Sequence, residues 1–202
     1  MSIMKFSKMN QSIEYYDQNF NEFNQKTYNV NMQNLYEPFL ANIPSKGYLL
    51  DLGCGSGRDA LYFKKHGYQI DAIDYSIKLV ELAKRQTGIN VRHASFYDLN
   101  EVEKYDGIWA CASLLHCDRN RLTEVIGRIV KALKITGVCY MSFKYGDQDR
   151  EKDGRFFTDL NETQLETLLM PFDLKIIKQW ITKDNRPEYS EQWINIILQK
   201  LN

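Results

Sequence analysis

The chain has 202 residues, 44% hydrophobic and 26% charged, with 26 basic and 26 acidic side chains in formal balance. That is about one domain with a substantial core, in the composition of an ordinary soluble globular protein. The even charge and the lack of a long basic tract argue against a duplex-binding protein, and no apolar run reaches the length of a membrane span.

Met1 to Gln11 lacks the apolar centre of a signal peptide, so a cytoplasmic location is expected. The four cysteines (Cys54, Cys111, Cys117 and Cys139) form no C-x-x-C pair and read as free thiols. His116 adjoins Cys117, but no further ligands follow at zinc-site spacing, and no metal is expected.

Residues 1–46 read as a helical, aromatic segment in which Ile13, Tyr16 and Phe20 share a helical face, as do Leu35 and Phe39. Pro44-Ser45-Lys46-Gly47 breaks the chain ahead of a regular alternation in residues 47–202. Strands are expected at Tyr48–Leu52, Tyr68–Ile73, Asn90–His93, Gly107–Cys111 and Gly137–Phe143, with helices at Arg58–His66, Ile77–Gln86 and Leu122–Leu133. The connection between the third and fourth strands shows no clear helix. A helix at Glu162–Leu169 then precedes two strands, Leu174–Ile181 and Gln192–Gln199, whose short link implies an antiparallel hairpin. Such βαβ alternation makes an α/β fold, a doubly wound, mostly parallel seven-stranded sheet ending in an antiparallel strand. One domain accounts for the whole chain, with the N-terminal segment as a helical lid.

The most informative stretch is Leu49-Leu50-Asp51-Leu52-Gly53-Cys54-Gly55-Ser56-Gly57-Arg58-Asp59. A strand that feeds a glycine turn and then a helix brings bare backbone N–H groups against a ligand. Asp51 would repel a pyrophosphate but favour an ammonium or sulfonium. The dinucleotide fingerprint G-x-G-x-x-G, begun at Gly53, meets Arg58 where it needs glycine.

Asp51-x-Gly53-x-Gly55-x-Gly57 resembles the first motif of class I S-adenosylmethionine-dependent methyltransferases, particularly compact bacterial ones related to the tellurite-resistance enzymes. The resemblance covers residues 47–202 and implies a Rossmann-like sheet with S-adenosylmethionine as cofactor. It makes Asp74, about twenty residues beyond the start of the glycine turn, the ribose ligand, although an Asp here can also cap the next helix. Ser76 is better placed for that cap. Asp98 and Leu99 would meet the adenine, with Phe96 or Tyr97 stacking nearby; an Asx turn is the other role open to Asp98. Tyr75 and Ala110, at strand ends, complete the expected set. Arg58, in a first helical turn where a cation is disfavoured, pairs either with the cofactor carboxylate or with Asp59 or another acid. Tyr15 and Tyr16 lie in the lid, where a ring can face the sulfonium or simply pack in the core.

Methyl transfer needs an aligned lone pair and sometimes a base. His116, in the loop after the fourth strand, is the candidate catalytic base, or else it holds that loop. Lys144-Tyr145-Gly146 leads into a charged loop, Asp147 to Arg155, read as a mobile cover. Arg155 and Arg186 are either contacts for an anionic substrate or solvated charges, and Trp193 reads as core beside Asn195 and Ile197. No Asn-Pro-Pro-Tyr or Asp-Pro-Pro-Tyr tetrapeptide of the DNA amino-methyltransferases is present.

The expected function is methyl transfer to a small-molecule acceptor. The alternatives are an RNA (tRNA nucleoside) methyltransferase and a non-catalytic S-adenosylmethionine-binding regulatory subunit. A nicotinamide dehydrogenase fits Asp51 and Arg58 poorly.

Overall fold

The computed structural model describes residues 5–202; residues 1–4, at the start of the Met1–Gln11 stretch, lie outside the described residues. Helix α1 (Lys5–Thr27) bends at Asn19, which has φ −112° and ψ 17°. There the Asn19 side-chain amide donates to the Tyr15 carbonyl at 2.8 Å, competing with the backbone ladder. A second helix, α2 (Gln33–Leu40), buries Leu35, Tyr36 and Phe39.

The alternating core follows: β1 (Tyr48–Leu52), α3 (Arg58–Lys65), β2 (Gln69–Asp74), α4 (Ile77–Thr87), β3 (Val91–His93), β4 (Tyr105–Ala110), α5 (Leu122–Ala132) and β5 (Leu133–Lys144). Helix α4 begins at Ser76, whose hydroxyl accepts the Leu79 N–H at 3.2 Å. Helix α5 buries Leu122, Val125, Ile126 and Ile129, an i, i+3, i+4, i+7 stripe, against the sheet. Each such side chain contributes roughly 1.5–3 kcal/mol of burial free energy.

After β5 the chain forms β6 (Asp149–Lys152), β7 (Arg155–Thr158), α6 (Glu162–Leu169), β8 (Leu174–Lys183) and β9 (Gln192–Lys200). The main sheet runs β3-β2-β1-β4-β5-β9-β8; β3 to β5 are mutually parallel, and β9 is antiparallel to both its neighbours. The Rossmann-like, mostly parallel seven-stranded sheet matches the expectation, with β9 inserted between β5 and β8.

Alternate residues serve the two faces. Ile108, Cys139, Met141, Ile196 and Leu198 enter the core under α5 and α6, while Trp109, Tyr140 and Ile197 join Phe39 and Phe63 on the opposite side.

Residues 147–155 are not a loose cover. β6 and β7 pair as an antiparallel hairpin with Lys152 opposite Arg155. The two residues between them, Asp153 and Gly154, have φ of 52° and 73°. Both central positions of a two-residue turn are thus left-handed, as a tight hairpin requires. The Asp-Gly pair was the available signal, obscured by the run of charges before it.

Candidate active site

The strand order reverses between β1 and β4, where an open α/β sheet forms its ligand crevice at the carboxyl ends of the strands. A cavity of about 480 Å³ lies there, walled by the glycine turn, the β4 and β5 ends, α1, β7 and the β8–β9 connection.

The glycine turn is anchored from both sides. Gly53 and Cys54 donate their N–H groups to the Ile73 carbonyl at 3.0 and 2.9 Å. Gly53 has φ +81°, and a Cβ there would stand 2.5 Å from the Ser113 Cβ, so side chains are excluded by both conformation and space. Ser113 itself donates its hydroxyl to the Leu52 carbonyl at 2.6 Å and holds the β4 loop against the turn.

Asp74 lines the cavity and organises the turn. Its Oδ2 accepts the Gly55 N–H at 2.8 Å and its Oδ1 accepts the Ser76 N–H at 2.9 Å. Burial raises its carboxyl, while these backbone donors oppose the rise. Tyr75 lines the cavity as well, braced by His93, which stacks on its ring and bonds its carbonyl at 2.9 Å.

Asp51 lies beneath the turn, 2% exposed, and its Oδ2 is buried with no hydrogen-bond partner among the described residues. Burial, and then the charge of Asp59, push its carboxyl well above the ordinary range. Asp59 behaves differently. It accepts from Arg58 Nε at 2.5 Å, from the Tyr36 hydroxyl at 2.5 Å and from Trp109 Nε1 at 2.8 Å. Burial works to raise it, but Arg58 and these donors bring it below its usual value. Arg58 also donates to the Thr27 carbonyl at 3.1 Å. Of its two expected pairings, the one with Asp59 is present, and it ties the end of α1 to the start of α3.

The turn at residues 95–98 places Ser95 and Phe96 on the cavity wall. Asp98 closes a capping box, its Oδ2 accepting from the Ser95 N–H at 2.8 Å and the Ser95 hydroxyl at 2.7 Å. Those bonds hold its carboxyl below the ordinary range. The local-turn role is therefore present, and Asp98 is not among the cavity-lining residues. Leu99 is 1% exposed, with its side chain in the core, and Ala110 is fully buried within the sheet. Cys111, Ala112 and Ser113 just beyond it line the cavity instead.

Tyr16 and His116 meet across the cavity. The Tyr16 hydroxyl lies 2.8 Å from His116 Nε2, and His116 Nδ1 lies 2.7 Å from the Phe156 carbonyl. A carbonyl only accepts, so Nδ1 carries the proton and Nε2 accepts from Tyr16. Burial, with Arg155 and Lys144 adding to it, lowers the His116 pKa to about 4, which keeps the ring neutral. Burial raises the Tyr16 phenol, with Arg155 opposing. The imidazole nitrogen expected to act as a base is thus occupied by the Tyr16 hydroxyl.

Helix α1 is fastened over the site by contacts that helical periodicity does not reveal. The Ser12 hydroxyl accepts the Phe156 N–H at 2.9 Å. Asp17 Oδ1 accepts from the Ser76 hydroxyl at 2.5 Å and the Lys78 N–H at 3.2 Å. The Phe23 ring covers the turn, 3.2 Å from where a Gly55 Cβ would stand. Trp193 packs against the core, as expected, and also forms a wall of the cavity, and its indole N–H donates to Asp184 at 3.1 Å.

These residues fit S-adenosylmethionine. The glycine turn leaves room for a closely held ligand and Asp74 faces the cavity, whereas Asp51 lies buried beneath the turn and is not among the cavity-lining residues. The fold is the Rossmann-like one of class I S-adenosylmethionine-dependent methyltransferases, and the site resembles theirs. Residues 49–137 match the family model described as a methyltransferase domain.

A probable S-adenosyl-L-methionine-dependent methyltransferase, TehB, from Haemophilus influenzae is 31% identical over 103 residues, covering 48% of this chain and 36% of that protein. The putative methyltransferase YqeM of Bacillus subtilis is 25% identical over 131 residues, covering 55% of this chain and 53% of YqeM. The chain thus spans between about a third and a half of the length of these two relatives. Among solved structures, a Burkholderia thailandensis 1,6-didemethyltoxoflavin-N1-methyltransferase with bound S-adenosylhomocysteine aligns at TM-score 0.80 and 19% identity, covering 100% of this chain and 92% of that one. The [4+2]-cyclase SpnF aligns at TM-score 0.76 and 17% identity, covering 96% and 97%. These likenesses show the fold. A cyclase on the same fold means that the reaction must be read from the site.

Proposed function

We propose that the protein transfers a methyl group from S-adenosylmethionine to a small-molecule acceptor. The observation that carries this reading is that the Asp74-anchored glycine turn and the Tyr16–His116 pair face one cavity beneath α1. A covered cavity of about 480 Å³ suits a cofactor and a small acceptor better than a nucleic-acid strand.

In this reading Gly53, Gly55 and Asp74 hold the cofactor, Asp74 through the ribose hydroxyls, with Asp51 buried beneath the turn. Arg58 fixes the approach of α1 through Asp59 and Thr27. Tyr75 and Phe96 border the adenine, with Asp98, Leu99 and Ala110 shaping the surrounding backbone. When bound, S-adenosylmethionine supplies an electrophilic methyl group on a sulfonium.

The chain's own task is then orientation and exclusion of water. With its proton committed to His116 Nε2 and one lone pair taken by Arg155, the Tyr16 oxygen offers its remaining lone pair to an acceptor N–H or O–H and thereby aims the acceptor's reacting atom. Neither Tyr16, whose phenol is raised, nor His116, whose imidazole is lowered, is a strong base in this arrangement. His116 is therefore a positioning residue acting through Tyr16.

Turnover on the acceptor identified by screening tests this. Tyr16→Phe and His116→Ala should lower kcat by about tenfold to a hundredfold while S-adenosylhomocysteine affinity stays within about threefold. Unchanged kcat in both variants would remove the pair from the reaction. Binding of S-adenosylmethionine without turnover across a broad acceptor screen would favour a non-catalytic binding role.

A further inference from the structure

Arg155 opens β7 and lines the cavity beside the Tyr16–His116 pair. Its Nε is buried and has no hydrogen-bond partner among the described residues. The acid nearest to it, Asp153, is 3.6 Å from its guanidinium and has a side chain 60% exposed, a solvated contact of little weight. A buried donor without an acceptor is destabilising unless a ligand supplies one.

The guanidinium carbon lies 4.5 Å from the centre of the Tyr15 ring and 5.2 Å from that of Phe157. Aromatic contacts hold the cation and a hydrogen bond joins it to the Tyr16 phenol, which leaves the buried Nε–H edge as the group available to a ligand. A fork of parallel N–H donors matches a planar pair of anionic oxygens.

The surrounding charge has the same preference. Glu191 is shared by Lys144, by Arg150 at 3.6 Å and by Lys152 at 3.7 Å, while Asp159 pairs with Arg150. Arg155 has no share in either carboxylate among these pairs. Arg186, the other arginine expected to meet a substrate, differs: its Nε and Nη2 rest on Asp184 at 2.9 and 2.7 Å. Burial, together with Arg150 and Lys152, lowers the Lys144 pKa, and Arg155 and Lys144 in turn contribute to the low value of His116. A bound anion would relieve both.

We infer that the acceptor carries an oxyanion, a carboxylate or an equivalent group, which the Arg155 guanidinium seats beside the Tyr16 hydroxyl. The word acceptor rests on the methyltransferase reading; the anion site rests on the residues around Arg155. The other anion this cavity would receive is the cofactor's own carboxylate. Sheet order favours the acceptor, because Asp74 ends β2 whereas Arg155 neighbours His116 beyond β4, on the far side of β1.

Calorimetric titration of the full chain with benzoate, phenyl phosphate and the neutral analogue benzamide, with and without saturating S-adenosylhomocysteine, decides the matter. The wild type should bind at least one anion about tenfold or more tighter than benzamide. Arg155→Met should abolish that preference, Arg155→Lys should keep only part of it, and S-adenosylhomocysteine affinity should stay within about threefold in both. Preference between benzoate and phenyl phosphate identifies the oxyanion. If Arg155→Met does not fold, Arg155→Lys carries the comparison.

Equal binding of benzamide and the anions overturns the inference, as does failure of the wild type to bind either anion. A loss of S-adenosylhomocysteine affinity in Arg155→Met also overturns it, assigning the guanidinium to the cofactor. Failure of the wild type to bind S-adenosylhomocysteine removes the methyltransferase reading instead, and the titrations without it still decide the role of Arg155.

Discussion

The Tyr16 hydroxyl sits 2.8 Å from His116 Nε2, joining a helix at the start of the chain to the loop after β4. Both residues line the cavity, and with the Phe156 carbonyl on Nδ1 the contact fixes the imidazole tautomer. The histidine therefore reports on whether α1 is in place.

A pH dependence of stability follows from the low His116 pKa of about 4. The unfolded ring titrates near 6.5, so between these values the unfolded chain binds the proton that the folded chain refuses. Stability from this group is complete above about pH 6.5 and falls as pH drops toward 4, by on the order of 3 kcal/mol in total. Urea unfolding at pH 7.5 and pH 5 should show a smaller loss for His116→Gln than for the wild type. Equal losses would mean that the ring is not buried neutral.

Asp59 is the acid on which three elements converge, taking hydrogen bonds from Arg58, Tyr36 and Trp109. Asp59→Ala should cost about 3–5 kcal/mol, because it leaves the Arg58 charge without its partner. Denaturant unfolding checks this. A loss below about 1 kcal/mol would mean that the cluster contributes no more than an exposed ion pair.

How far the sequence discloses this molecule depends on the range of each interaction. The strands, the helices and the glycine turn follow from local periodicity and turn chemistry, and Ser76 is recognisable as the α4 cap from its position alone. The convergence on Asp59 is not readable in this way, since Tyr36 and Trp109 reach it from 23 and 50 residues away. The Tyr16–His116 contact spans 100 residues, and each partner taken singly has an equally ordinary packing role. Asp98 was half legible: its Asx-like turn is local and present, whereas its relation to a ligand depends on which side of the turn faces the cavity. The β6–β7 hairpin was announced by Asp153-Gly154, but Asp149–Lys152 lacks the apolar alternation that marks a half-buried strand.

Gly53 should not tolerate a side chain. Gly53→Ala brings a Cβ within 2.5 Å of Ser113 at φ +81°, at a cost of about 1–3 kcal/mol, and should weaken S-adenosylhomocysteine binding as the turn shifts. Thermal unfolding and calorimetry read the two effects. A variant with wild-type Tm and wild-type affinity would show that the turn is not held as described.

Asp17 fastens α1 to the start of α4 through the Ser76 hydroxyl and the Lys78 N–H. Asp17→Ala should loosen the cover, raising the rate of limited proteolysis within α1 and weakening cofactor affinity by about threefold to tenfold. Wild-type proteolysis rates in the presence and absence of S-adenosylhomocysteine would place the hold on α1 elsewhere.

In the proposed reading the glycine turn and Asp74 select S-adenosylmethionine. Calorimetric titration of the wild-type chain with S-adenosylmethionine, S-adenosylhomocysteine and NAD tests it most directly. The first two should bind saturably at one to one, and NAD not at all. Binding of NAD alone, or of none of the three, would contradict it.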